Sequence, residues 1–110
     1  MAKKEKIESA KQVVSIDLND IRITDLNKLD YTDDLEKFKE NVANAIYTAP
    51  GSTLELLKIS QELHLGAKVE IEKLDLVDIV TIFEHNKGLY GPWVMEQIRD
   101  YFRNKLKEFN

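Results

Sequence analysis

Apolar and polar residues alternate near the start of the chain, in the pattern of a β-strand. The alternation runs through 14–18, where valine, isoleucine and leucine are separated by serine and aspartate, and it resumes over 21–24. A period of two residues indicates strands with one buried face. Asn19-Asp20, between the two segments, is able to adopt the positive φ angles of a two-residue turn. The pattern therefore predicts a β-hairpin.

Apolar residues at three- and four-residue spacings predict four amphipathic helices further along the chain. The four apolar stripes fall within 35–46, 54–65, 76–83 and 95–109. Asp33 and Ser52 are each followed three residues later by glutamate, a pattern that predicts the starts of the first two helices. Val69 and Ile71 alternate with charged residues, which predicts a short third strand between the second and third helices.

These elements predict an α+β domain. A small antiparallel sheet, made of the hairpin plus the short third strand, packs on about four helices in the order ββααβαα. Residues 1–12 are rich in lysine and lack apolar periodicity. We therefore expect a flexible tail over 1–12 and a single globular domain over 13–110, which suits a chain of 110 residues of which 43% are hydrophobic and 33% charged.

Composition and charge restrict the expected cellular location and the expected classes of binding partner. The chain contains no cysteine and no apolar run of about 18 residues, and residues 1–12 lack the apolar stretch of a secretory signal, so we expect a cytoplasmic protein without a membrane segment. The net charge is -4, with a net positive charge at each end and an acidic middle over 12–98. Because phosphate backbones attract clustered cations and are repelled by an acidic surface, this distribution disfavours binding of nucleic acid.

Candidate catalytic groups are few. His64 and His85 are the two histidines, and both fall at predicted helix C-termini, where a partial positive charge favours the helix dipole. Asp30, Asp33 and Asp34 lie close together at a predicted helix start, where acidic residues act as caps. Two separated histidines supply too few ligands for a zinc site. We therefore predict no catalytic residues, metal or cofactor, and a protein that is not an enzyme.

An alternative function rests on a basic stripe along the last helix. Arg99, Arg103 and Lys107 are spaced four residues apart and therefore share one helix face, which could follow phosphates. This alternative is a small nucleic-acid-binding, winged-helix-like regulatory domain. Glu96 and Asp100 lie beside the stripe, however, and can pair with it, which favours a solvated helix face instead.

Bulky residues gather where the last helix begins. Tyr90, Trp93 and Met95 lie around Gly91-Pro92, and we expect that not all three face the core. Aromatic residues and methionine are enriched in protein interfaces, so these three are the predicted protein-binding residues. The alternative is that Trp93 covers one end of the core.

The segments Asn44-Ala45-Ile46-Tyr47 and Gly66-Ala67-Lys68-Val69-Glu70-Ile71, each beside a leucine-rich helix, give the chain a resemblance to a family. Over 13–102 it resembles small, mostly uncharacterised proteins encoded by bacteriophages and prophages. The resemblance implies binding to a host or viral protein, or self-assembly, in a bacterium or a phage-infected host cell. The predicted function is accordingly a non-catalytic protein-binding or self-assembling phage-type module, with a homodimer as one possible form.

Overall fold

Two short strands and four helices form the fold in the computed structural model, which describes residues 12–86 and 88–109. In chain order they are β1 (Val13–Ile16), α1 (Phe38–Tyr47), α2 (Leu54–His64), β2 (Val69–Glu72), α3 (Lys73–His85) and α4 (Pro92–Leu106). The α+β class and the four helices confirm the sequence prediction at that level. The predicted tail, apart from Gln12, lies outside the described residues.

The sheet joins the beginning of the chain to its middle. β1 and β2 are antiparallel, with Val13 opposite Glu72 and Ile16 opposite Val69. Along β2 the valine and isoleucine are buried and the two glutamates are exposed, as the alternation predicts. The segment predicted as a third strand therefore exists, and it pairs directly with β1.

The predicted hairpin does not form, and the described residues contain a two-stranded sheet in the order βααβαα. Leu18–Asp20 is a 3₁₀ turn, in which the Asp17 carboxylate accepts a hydrogen bond from the Asn19 N–H at 2.9 Å. A two-residue hairpin turn needs positive φ, and neither Asn19 nor Asp20 adopts it here. The apolar alternation over 21–23 was still informative, because Ile21 and Ile23 are both buried.

The first two helices begin later than predicted. Thr32–Asp34 is a separate 3₁₀ turn, and α1 starts only after Lys37, whose φ of 56° breaks the helical path. Thr53, one residue beyond the predicted Ser52, caps α2 by accepting a hydrogen bond from the Leu56 N–H at 3.1 Å. Gly66 ends the same helix with a φ of 85°, a conformation that glycine adopts without strain.

Aromatic rings and the side chain of Arg99 connect helices α3 and α4. The rings of Phe83 and Phe102, both fully buried, stack with their centroids 5.1 Å apart. Arg99 donates hydrogen bonds to the carbonyl oxygens of Phe83 at 2.8 Å and Asn86 at 3.1 Å. Since the last carbonyls of a helix have no partners within it, Arg99 acts as a cap for α3.

We predict that Phe83→Ala lowers the free energy of unfolding by about 3–5 kcal/mol, because it removes a buried ring and its stacking contact with Phe102. Urea denaturation followed by circular dichroism measures the change. Leu74→Ala, at an exposed position on the same helix, serves as the control and is expected to stay within about 0.5 kcal/mol of the parent. Equal losses for the two variants would contradict this core arrangement.

Candidate protein-binding surface

Side chains from the first turns of α4 hold the main chain of Thr24. Gln97 accepts a hydrogen bond from the Thr24 N–H at 3.0 Å and donates one to the Thr24 carbonyl at 2.9 Å. The Trp93 indole N–H donates to the same carbonyl at 2.6 Å. The Gln97 amide thus provides the donor and acceptor that a neighbouring strand would supply.

Thr24 begins a short loop whose own hydrogen bonds fix its shape. Thr24 and Asp30 form an isolated antiparallel bridge, and 25–29 is the turn between them. The Asp25 N–H donates to the Leu29 carbonyl, and the Asp25 carboxylate accepts from the N–H groups of Asn27 at 2.8 Å and Leu29 at 3.0 Å. A loop bonded in this way has few alternative conformations.

The fixed loop presents apolar side chains to solvent. Leu26 is 85% exposed and Leu29 is 64% exposed, while Trp93, which is bonded to the base of the loop, is 48% exposed. We call Leu26, Leu29 and Trp93 the tryptophan–loop surface. Single exposed leucines are common on proteins, but two on one rigid loop beside a half-exposed tryptophan make a local apolar surface.

Ionic and hydroxyl contacts stabilise the far side of the loop. Arg22 pairs with Asp30 at 2.7 Å, and Asp30 also accepts hydrogen bonds from the Thr32 N–H at 2.9 Å and hydroxyl at 2.7 Å. The hydrogen bond from Arg22, followed by those from Thr32, lowers the pKa of Asp30 well below its ordinary value. Thr32 in turn accepts a hydrogen bond from the Ile23 N–H at 2.6 Å.

The three predicted protein-binding residues have different environments. Trp93 contributes to the surface, as described above. Met95 is only 1% exposed, because it falls on the same face of α4 as the buried Ile98 and Phe102. It therefore belongs to the core and not to a binding surface. Tyr90 is half-buried: its ring packs against Phe38, and its hydroxyl accepts a hydrogen bond from Asn41 at 3.1 Å.

The basic stripe predicted for nucleic-acid binding is largely engaged within the protein. Arg99 is committed to the end of α3, as described above. Arg103 pairs with Glu84 at 2.6 Å and with Glu96 at 3.0 Å, and the bond from Arg103 lowers the pKa of Glu96. Lys107 is exposed at the end of α4. Two of the three cations are therefore balanced by main-chain carbonyls or carboxylates, which leaves little charge for phosphates.

The histidines and the acidic group do not meet in one site. His64 and His85 end α2 and α3, as predicted, and they border different surface depressions. The Nδ1 atom of His85 lies 2.9 Å from the Thr81 carbonyl, and Asp33 pairs with Arg22 at 3.7 Å. Over 12–86 and 88–109, no three His, Asp or Glu side chains are grouped to hold a metal ion, and no helix is long and apolar enough to cross a membrane.

Sequence reasoning missed the loop leucines and Gln97. Residues 25–31 show no strand or helix periodicity, although Leu26 and Leu29 are unusual in a segment otherwise dominated by polar residues. That excess of leucine was the available signal. Gln97 gave none, because a glutamine on a helix surface is indistinguishable in sequence from one that pairs with a distant backbone.

We predict that Gln97→Ala loosens the loop without unfolding the protein. Loss of the two hydrogen bonds to the Thr24 main chain is expected to speed amide hydrogen exchange at Asp25 and Leu29 about tenfold. Exchange measured residue by residue by NMR tests this. Asn104→Ala, which removes an exposed amide from the same helix, should leave the loop amides unchanged; unchanged exchange in Gln97→Ala would show that Gln97 does not hold the loop.

We also predict a pH-dependent effect of Asp30→Asn. Because folding lowers the pKa of Asp30, its ionised form stabilises the protein above the ordinary value of 3.8, and this contribution is lost as the pH falls below it. Asp30→Asn should therefore reduce the urea midpoint clearly at pH 7 and less at about pH 3. Asp34→Asn is the control, because the Asp34 carboxylate makes no bond to the described residues. An equal reduction at both pH values would contradict the role of the Arg22–Asp30 pair.

Comparisons with protein-family models, with curated proteins and with solved structures find no match to this chain. The function is therefore inferred from the contacts, exposure and charge of the described residues.

Proposed function

We propose that this protein is a non-catalytic binding module that recognises another protein through the tryptophan–loop surface. The observation that carries the proposal is a rigid loop that holds two leucines in solvent beside a half-exposed tryptophan. The partner is a host or viral protein, or a second copy of the chain, in keeping with the resemblance to phage-encoded proteins.

The energetics of such a surface favour binding. Burying an exposed leucine side chain contributes about 1.5–3 kcal/mol, and tryptophan is enriched among the residues that dominate binding energy. Asp25 and Gln97 fix the loop before any partner arrives. Binding therefore loses little conformational entropy in ordering the loop, which leaves more of the apolar contribution as affinity.

The charges around the loop favour a protein over an anionic partner. Residues 22–36 contain two basic and five acidic side chains, and one of the two basic residues, Arg22, is paired with Asp30. Nucleic acids and anionic lipid headgroups would be repelled by this surface. An apolar recess on a protein, with neutral or basic residues at its rim, is complementary to it.

The double variant Leu26→Ser/Leu29→Ser and the single variant Trp93→Ala test the proposal. We expect both to fold and both to weaken association at least tenfold, because each removes apolar area that the partner would bury. Light scattering of the purified chain measures self-association. A photo-crosslinker placed at Leu26 in a bacterial lysate, with and without phage infection, reports another protein as partner.

A matched control uses the exposed leucines elsewhere. Leu54→Ser/Leu74→Ser removes two comparably exposed leucines from the starts of α2 and α3, and a crosslinker at Leu74 probes that region. The crosslinks at Leu26 are then competed with unlabelled protein. The proposal is supported if excess parent protein abolishes them and excess Leu26→Ser/Leu29→Ser does not. The proposal is refuted if the chain is monomeric and no crosslink at Leu26 is abolished by excess parent protein. It is also refuted if the parent and the Leu26→Ser/Leu29→Ser variant compete equally well.

A further inference from the structure

A second feature of the molecule is a groove between α1 and α2, of about 450 Å³. Its floor contains Ala43 and Ser60, both buried, and the two helices approach each other over these small side chains. Bulkier residues at either position would fill the depression. The volume lies in the range of small-molecule sites, which span about 300–1,000 Å³.

The rim of the groove consists of uncharged polar and ring-bearing side chains together with the exposed Leu65. Asn44 and Tyr47 come from α1, and Gln61 and His64 come from α2, so each helix contributes an amide and a ring three residues apart. These spacings place each pair on one helix face. None of the residues lining this groove is Lys, Arg, Asp or Glu.

Several amides elsewhere in the protein are engaged in hydrogen bonds, although the side chains of Asn27 and Asn104 are not bonded within 12–86 and 88–109. The side chain of Asn41 donates to Tyr90, that of Asn86 accepts from the N–H of Gly88, and that of Gln97 pairs with Thr24. Within 12–86 and 88–109, by contrast, the side chains of Asn44 and Gln61 bond to no other residue. Their donors and acceptors are available to a ligand.

We propose that this groove binds an uncharged planar heterocycle of the nucleobase type, as a free base or a nucleoside. A primary amide offers a donor beside an acceptor, which matches the paired donor and acceptor on the edge of such a ring. The half-exposed Tyr47 ring offers a face for stacking. The lining of this groove contains no lysine or arginine to pair with a phosphate, which selects against a phosphorylated ligand.

This site is separate from the proposed protein-binding function. The groove is built on α1 and α2, whereas the tryptophan–loop surface is built on 24–30 and the start of α4, and the two share no residue. Either one can therefore fail in experiment without affecting the other.

NMR titration of the isotopically labelled full chain with adenosine tests the inference. We expect saturable shifts in the side-chain amide signals of Asn44 and Gln61. Tyr47→Ala should weaken adenosine binding about fivefold or more, since stacking is lost, while Tyr47→Phe should retain it. Adenosine monophosphate should bind more weakly than adenosine, because no cation meets its phosphate.

Controls separate the groove from the rest of the surface. Asn44→Ala is expected to weaken adenosine binding severalfold, whereas Asn104→Ala, an exposed amide outside the groove, and Trp93→Ala should bind adenosine like the parent. The backbone spectra of the variants establish that each is folded. The inference is overturned by a lack of saturable shifts, by equal affinity of Tyr47→Ala and the parent, or by tighter binding of the monophosphate.

Discussion

The main chain at the two ends of the segment 17–24, at Asp17 and Thr24, is hydrogen-bonded by side chains of α4. This segment carries buried isoleucines but has no continuous strand beside it, so its N–H and carbonyl groups need other partners. Gln97 serves both groups of Thr24, and the Tyr101 hydroxyl donates to the carbonyl and accepts from the N–H of Asp17, each at 3.1 Å. Burial raises the pKa of Tyr101, so the hydroxyl proton that makes this bond is retained to a higher pH than in an exposed tyrosine. Leaving such groups unsatisfied would cost about 1–3 kcal/mol each.

Side chains of α4 thus supply hydrogen bonds that a neighbouring strand would otherwise supply. This arrangement explains how much of the fold could be predicted from the sequence. Periodicity located the buried face over 14–23 correctly, because burial depends on which side chains are apolar. It could not identify the hydrogen-bond partner of Thr24, since Gln97 is 73 residues away and carries no distinguishing pattern. The helices α2, α3 and α4 were predictable from their apolar stripes, whereas the start of α1 was set by the backbone of Lys37, which propensity does not encode.

The candidate site was predictable only in part, for a related reason. Trp93 was identified from residue type, but Met95, two positions further, points into the core because a two-residue step on a helix turns to a different face. The spacing of Arg99 and Arg103 was visible in the sequence, but the groups that they contact were not. Arg99, for example, bonds to main-chain carbonyls at the end of α3, and main-chain acceptors leave no signal in residue type. Spacing shows which residues share a face, while the partners of that face depend on tertiary packing.

The position of Trp93 combines the two alternatives that its sequence context left open. Its indole N–H is bonded to Thr24, so the residue helps to fix the loop, yet about half of the side chain remains in solvent. A tryptophan that only covered the core would bury its ring and gain the full apolar contribution. A residue that only contacted a partner would not need the bond to Thr24. The exposed ring is therefore held at the base of the loop that Asp25 and Gln97 order. Substituting Trp93 changes both the surface and a bond of the fold, whereas substituting Leu26 and Leu29 changes the surface alone, so the leucines are the residues that separate binding from folding.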